Sequence, residues 1–189
     1  YFALDGYRLS VNHYLTKAAN LRMAQALGAV VNNGVLCRPH IARHVVDAKT
    51  GEKRTIEPEP LRTIPFKQSH IDLIKRAMVG VNKAGTGSRA FAGAPYEVGG
   101  KTGTAQVYSL KGGKYVEGRV AERLRDHSWF IAFAPADKPV IALAVLVENG
   151  GFGAQSAAPI ARQALDYYLL GKVPAGIAAE DPAAEESAE

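Results

Sequence analysis

SWFIAFAPADKPVIALAVLVE, residues Ser128 to Glu148, holds two apolar runs separated by a break with a proline at each end. Neither Ser128 to Ala134 nor Val140 to Glu148 alternates polar with apolar residues, so both faces of each run must be covered. The break, Pro135 to Pro139, is short enough for a tight turn. A central antiparallel hairpin is therefore predicted, and the rest of the chain must provide its neighbouring strand and covering helices.

The neighbouring strand lies upstream. VGGKTGTAQVYSL, from Val98 to Leu110, sets a glycine-flanked Lys101 and the hydroxyls of Thr102 and Thr104 in a β-rich frame. It is predicted to pair with the Trp129 strand as an edge. Downstream, Asn149 to Gly153 (NGGFG) is a glycine-rich turn. Ala154 to Leu170 is then a long helix with Pro159 in or near its first turns and Gly171 as its stop.

Further upstream, Asn20 to Val31 carries Leu21, Ala24, Leu27, Ala29 and Val31 at helical spacing, and Asn32, Asn33 and Gly34 end it. Pro39 to Val46 is expected as a strand. A turn on Thr50-Gly51 follows, with a return strand near Arg54 to Ile56. Glu57 to Pro65 holds three prolines and is expected to run extended over the surface. Gln68 to Lys83 is a second helix with Ser69 as N-cap and Ile71, Ile74, Ala77, Met78 and Val81 on one face; Ala84 to Ser88 breaks it. Arg119 to His127 is a loop or short surface helix. This order describes an α+β architecture, an antiparallel sheet with helices packed on it. One unit is expected over residues 1–171, with 172–189 a disordered tail rich in Ala, Pro and Glu.

Composition narrows the functional classes. The 189 residues are 47% hydrophobic and 22% charged, a globular balance, and no apolar run reaches the ~18 residues of a membrane span. The net charge of +5 comes from scattered lysines and arginines with no aromatic-interleaved stripe, so no nucleic-acid partner is expected. Cys37 is the single cysteine, excludes an internal disulfide, and reads as a small buried residue. His40 and His44 on one strand face have no carboxylate beside them and read as structural, with no metal. Asp126-His127-Ser128 imitates a triad only in sequence, because real triads converge from separated elements. Trp129 reads as core, and Arg123 and Arg125 as charges facing substrate or partner.

Lys101 is the chemical question. A phosphate-cradling loop needs glycine at position 95, which is Pro95. Pumps that form an aspartyl phosphate place aspartate before Lys-Thr-Gly-Thr, and here Gly100 stands there. Serine acyl-transferases acting on penicillins and stem peptides combine Ser-x-x-Lys, Ser-x-Asn and a Lys-Thr-Gly strand. A substrate carboxylate needs a cation and hydroxyls, and an extended substrate pairs with a strand edge. Lys101 provides the cation, Thr102 and Thr104 the hydroxyls, and the Thr104 N–H an oxyanion donor. Gly103 leaves room for close approach.

The chain resembles the class B penicillin-binding proteins, of the penicillin-binding protein 2 group. The matching stretches are GTGSRAF (85–91), GGKTGTAQV (99–107), AERLRDHSWFIAFAP (121–135) and VLVENGGFGAQSAAPIARQALDYYL (145–169), preceded by NLRMAQALGAVVNNGVLCRPH (20–40). The resemblance implies the C-terminal part of a D,D-transpeptidase domain that cross-links peptidoglycan stem peptides in cell elongation and is a target of β-lactams. It further implies no cofactor or metal, a glycosyltransferase partner in the elongation complex, and a place on the periplasmic face of the inner membrane with the anchor upstream of this chain.

Two features depart from that pattern. None of the seven serines has a lysine three residues on, so the acylating serine is expected upstream of Tyr1 and the chain alone is expected to be inactive. Ser10-Val11-Asn12 satisfies Ser-x-Asn formally, but the family's motif stands further before Lys-Thr-Gly, and a chance match is the better reading. The alternative is a non-catalytic sensor or binding module that keeps the lysine strand without a nucleophile. A sheet lacking its nucleophile helix is also expected to aggregate or to depend on a partner.

Overall fold

The structure is a computed structural model and describes residues 14–107 and 121–174. Its elements run α1 (Tyr14–Val31), β1 (Val35–Cys37), β2 (His44–Val46), β3 (Lys53–Thr55), β4 (Pro60–Thr63), α2 (Gln68–Lys83), α3 (Ser88–Phe91), β5 (Gly99–Ala105), a 3₁₀ turn (Glu122–Leu124), β6 (His127–Ala134), β7 (Ile141–Val147) and α4 (Ala157–Leu170).

The two apolar runs form the expected hairpin. β6 pairs antiparallel with β7 from Ser128↔Val147 to Ala134↔Ile141 and, on its other side, with β5 from Gly99↔Phe133 to Ala105↔His127. Alternation along β6 then assigns its residues to two cores. Phe130, Ala132 and Ala134 pack with Val145, Phe91 of α3, and Ala157, Ala158, Ala161 and Leu165 of α4. Phe133 and Ile131 face the other way, toward Leu27 and Val31 of α1 and Met78 of α2. Phe130 is fully buried and stacks on Phe91 at 5.5 Å between ring centroids. Burying such a ring contributes roughly 2–3 kcal/mol. Small residues along α4 let that helix approach the sheet closely, which explains why a run rich in alanine is core.

Several local expectations are corrected. α1 already begins at Tyr14, and α4 begins at Ala157 instead of Ala154. Pro39 to Val46 is not one strand: β1 ends at Cys37, and regular pairing resumes only at His44. His40 and His44 therefore do not share a strand face; the His40 ring sits 2.7 Å from the Ala42 carbonyl through Nδ1. Glu57 to Pro65 is not merely a surface connection, because Pro60–Thr63 pairs with β1. Pro60 opens that strand, a position that needs no ladder donor. Ser69 is not the N-cap of α2; Lys67 occupies that place without a side-chain cap. Ile74 and Ala77 are exposed, and α2 turns Ile71, Met78 and Asn82 inward instead. Cys37 is half-buried, with its carbonyl accepting from Gln25 Nε2 at 2.8 Å.

The hairpin turn is as expected. Asp47 Oδ1 accepts from the backbone N–H groups of Lys49 and Thr50, Gly51 takes a positive φ of 69°, and β2 and β3 pair from His44↔Thr55 to Val46↔Lys53. No helix among the described residues is long and apolar enough to cross a membrane. The tail beyond Pro174 and the stretch from Tyr108 to Val120 lie outside the described residues.

Candidate active site

β5 is the outer strand of its sheet. Among the described residues its only strand neighbour is β6, so one edge carries no partner. Two oxygens show which backbone groups use that edge. A Cβ on Gly153 would lie 2.4 Å from the Trp129 carbonyl oxygen, 2.5 Å from that of Gly103, and 3.0 Å from Gly103 N. Both carbonyls therefore turn toward one another across the ladder, which makes Gly103↔Trp129 a hydrogen-bonded pair. By alternation Thr102 and Thr104 turn their N–H and C=O groups outward. Consistently, the Lys101 ammonium donates to the Thr102 carbonyl at 2.7 Å.

Lys101 and Thr104 are exposed and Thr102 and Gly103 half-buried, so the strand presents one cation, two hydroxyls and outward amides together. This is the set of groups that a carboxylated, extended ligand would need. Gly103 is crowded by the protein as well. Its missing side chain makes room for the protein itself: a Cβ there would sit 3.0 Å from Trp129 Cβ, while Gly153 crosses its backbone.

Thr86 is not among the site residues expected from the sequence, where AGTGS ends a helix and GTGSRAF counts toward the family resemblance. Its Oγ1 lies 2.8 Å from Thr102 Oγ1. Asn82 was equally missed. It is buried in the last turn of α2, donates from Nδ2 to the Val98 carbonyl at 2.9 Å, and stands so close that a Cβ on Gly100 would meet its Nδ2 at 2.8 Å. An asparagine in an apolar helical stripe was the available signal, since a buried amide requires partners.

The support beneath β5 is polar as well. Tyr96 donates its hydroxyl to Asp166 Oδ1, and Arg162 Nε lies 2.9 Å from both carboxylate oxygens. Burial, with the Asp166 contact second, holds the Tyr96 phenol well above its ordinary range. Burial pushes Asp166 upward, but Tyr96, Arg162 and Lys172 outweigh it and leave the carboxyl below the usual aspartate range. These groups pin α4 to the segment that enters β5.

Asp126, His127 and Ser128 form no catalytic triad. Asp126 Oδ1 accepts from Val107 N at 3.3 Å, His127 Nδ1 accepts from Asn149 N at 2.9 Å, and Ser128 Oγ accepts from Ala157 N at 3.1 Å. Each fixes a strand end or helix start, as a loop-to-strand polar junction should. Trp129 is half-buried. Arg123 lines an open hollow with Ala121, Glu122 and Asn149, whereas Arg125 is half-buried and its carbonyl accepts from Asn149 Nδ2. Ser10 and Asn12 lie outside the described residues. Among the described residues no group of three or more His, Cys, Asp and Glu gathers as a metal site.

Comparison with known proteins gives the same region a family. Residues 9–166 match the penicillin-binding protein transpeptidase domain. The chain is 40% identical over 165 residues to peptidoglycan D,D-transpeptidase MrdA of Haemophilus influenzae, covering 83% of this chain and 24% of that protein. It is 41% identical over 166 residues to the Acinetobacter baumannii protein of that name, covering 86% and 24%. It thus spans about a quarter of the length of the curated relatives it matches. Among solved structures, Pseudomonas aeruginosa PBP2 in complex with WCK 5153 superposes with a TM-score of 0.62 at 34% identity, over 85% of this chain and 32% of that one. The edge strand with its lysine and threonines, the family model over most of the chain, and these relatives agree: the chain belongs to the penicillin-binding protein transpeptidase-domain family.

Proposed function

We propose that this chain carries the substrate-binding edge of a peptidoglycan D,D-transpeptidase, the activity named for its MrdA relatives. The observation that carries the reading is the edge of β5 that no strand among the described residues pairs, which places Lys101, Thr102, Thr104 and outward amides side by side. A stem peptide would lie along that edge as an added strand. Its terminal carboxylate would meet the Lys101 charge and the threonine hydroxyls, and the Thr104 N–H would donate to the oxygen that becomes negative when the penultimate carbonyl is attacked. A β-lactam presents a carboxylate and a carbonyl in a related arrangement.

The attacking group is a serine with a lysine three residues on, and residues 1–189 contain no such pair. We assign it to sequence upstream of Tyr1 and expect this chain alone to be inactive. Ser10 and Asn12 satisfy the second motif formally, with a chance match the better reading. The expected setting is the periplasmic face of the inner membrane, with an elongation glycosyltransferase as partner and no cofactor.

The test is labelling with a fluorescent penicillin, followed by denaturing electrophoresis and intact mass, of this chain and of a polypeptide extended upstream. Label on the extended protein alone, reduced at least tenfold by Lys101→Ala, supports the reading. A folded extended protein that takes no label favours a non-catalytic binding module.

A further inference from the structure

Thr86 and Thr102 come from different segments, the α2–α3 connection and β5, and their hydroxyl oxygens are 2.8 Å apart. A hydroxyl has one proton and two lone pairs, so within this pair one oxygen donates and the other accepts. The direction matters for an anion. If Thr102 donates to Thr86, its proton is spent and it shows only lone pairs to an arriving carboxylate. If Thr86 donates to Thr102, the Thr102 proton is free to point at the carboxylate.

The segment bearing Thr86 is built to hold it in place. Gly85 N and Gly87 N both donate to the Val81 carbonyl, at 3.1 and 3.0 Å, and Ser88 N donates to Gly85 O at 3.1 Å. A Cβ on Gly85 would lie 2.9 Å from Val81 backbone atoms, and one on Gly87 would lie 2.1 Å from Asn82 Oδ1. Glycine on both sides is thus required for the turn to close against α2. Asn82 in turn anchors the start of β5 through Val98. One buried amide therefore spaces the two threonines, and Thr86 remains exposed at the rim where a ligand would arrive.

We propose that Thr86 is a positioning residue for carboxylate recognition: it donates its proton to Thr102 Oγ1 and so turns Thr102 into a hydrogen-bond donor for the ligand's carboxylate. This rests on the transpeptidase reading and adds to it a residue outside the Lys-Thr-Gly strand. Thr86 acts only through Thr102, so its influence should follow the ligand's charge.

The experiment measures second-order acylation rates of the upstream-extended protein with benzylpenicillin and with its methyl ester, as variant-to-wild-type ratios. Thr86→Val should lower the ratio about tenfold for the free acid and less than twofold for the ester, Thr86→Ser should restore the acid rate, and Thr86→Val should add nothing further in a Thr102→Val background. Equal losses for acid and ester mean a structural role and overturn the proposal. An unchanged acid rate overturns it too, while the labelled wild type leaves the transpeptidase reading standing. A folded wild-type protein that is never acylated removes both. Should Thr86→Val fail to melt cooperatively, Thr86→Ala at this exposed site takes its place with the same ratios.

Discussion

Asn82 Nδ2 donates to the Val98 carbonyl at 2.9 Å, joining the last turn of α2 to the residue that precedes the Lys101 strand. Its Oδ1 is buried and has no hydrogen-bond partner among the described residues, and Gly87 and Gly100 leave the space it fills. An amide in this position costs desolvation that only the Val98 bond offsets. Asn82→Leu would strand the Val98 carbonyl and press against Gly87 and Gly100. We expect a loss of about 2 kcal/mol in urea unfolding with an unchanged m-value. A midpoint equal to wild type would show that α2 is held to β5 by apolar contacts alone.

The glycines of the site divide by what surrounds them. A Cβ on Gly99 would sit 2.2 Å from the Phe133 ring, and one on Gly100 would sit 2.6 Å from Phe130, whereas nothing lies within 4 Å at Gly80 in α2. Gly100→Ala should therefore destabilise by about 1–3 kcal/mol through overpacking. Gly80→Ala should stabilise by about 0.5–1 kcal/mol through helix propensity. Thermal melts of the two variants should move in opposite directions; a shared direction would refute the packing described around β5.

Ser128 is fully buried, and its Oγ accepts from the first amide of α4. It starts a helix and is closed to any acyl donor. Ser128→Ala should cost about 1–2 kcal/mol, the loss usual for a missing side-chain acceptor at a helix start. In the upstream-extended protein it should leave penicillin labelling intact. Loss of label with unchanged stability would make Ser128 the nucleophile and contradict its burial.

The hairpin, the edge strand and the second helix were legible because each announces itself locally. β6 and β7 are unbroken apolar runs, β5 opens on two glycines, and α2 matches its periodic segment from Gln68 to Lys83. What stayed hidden depends on contacts distant in sequence. Glu57 to Pro65 reads as a connection because its three prolines disfavour a strand; the pairing of Pro60–Thr63 with β1 outweighs them. Thr86 reads as loop because only the fold brings it to Thr102, 16 residues away. Ile74 reads as core by helical spacing, yet the inward stripe of α2 runs through Met78 to Asn82, and a polar residue there defeats a hydrophobicity pattern.

Asp166 makes the last prediction, and its sign follows from its partners. The side chains of Arg162 and Asp166 are 17% and 19% exposed, and the carboxylate receives Tyr96 O–H and Arg162 N–H. Burial works against the charge, yet the net shift is downward, so the folded state holds the carboxylate ionised more strongly than the unfolded chain does. Stability from such a group is fully present above the ordinary aspartate range and is lost as pH falls below about 4. Asp166→Ala removes that contribution and leaves Tyr96 and Arg162 without their shared acceptor, a loss of roughly 1.5–3 kcal/mol near pH 7. The gap between wild-type and variant urea midpoints should narrow as the pH is lowered from 7 to 3. Because Tyr96 and Arg162 join α4 to the approach to β5, the same variant should loosen the Lys101 strand, seen as faster amide exchange over Gly99 to Thr104 at pH 7. A gap that is constant with pH would mean that Asp166 acts through packing and not through its charge.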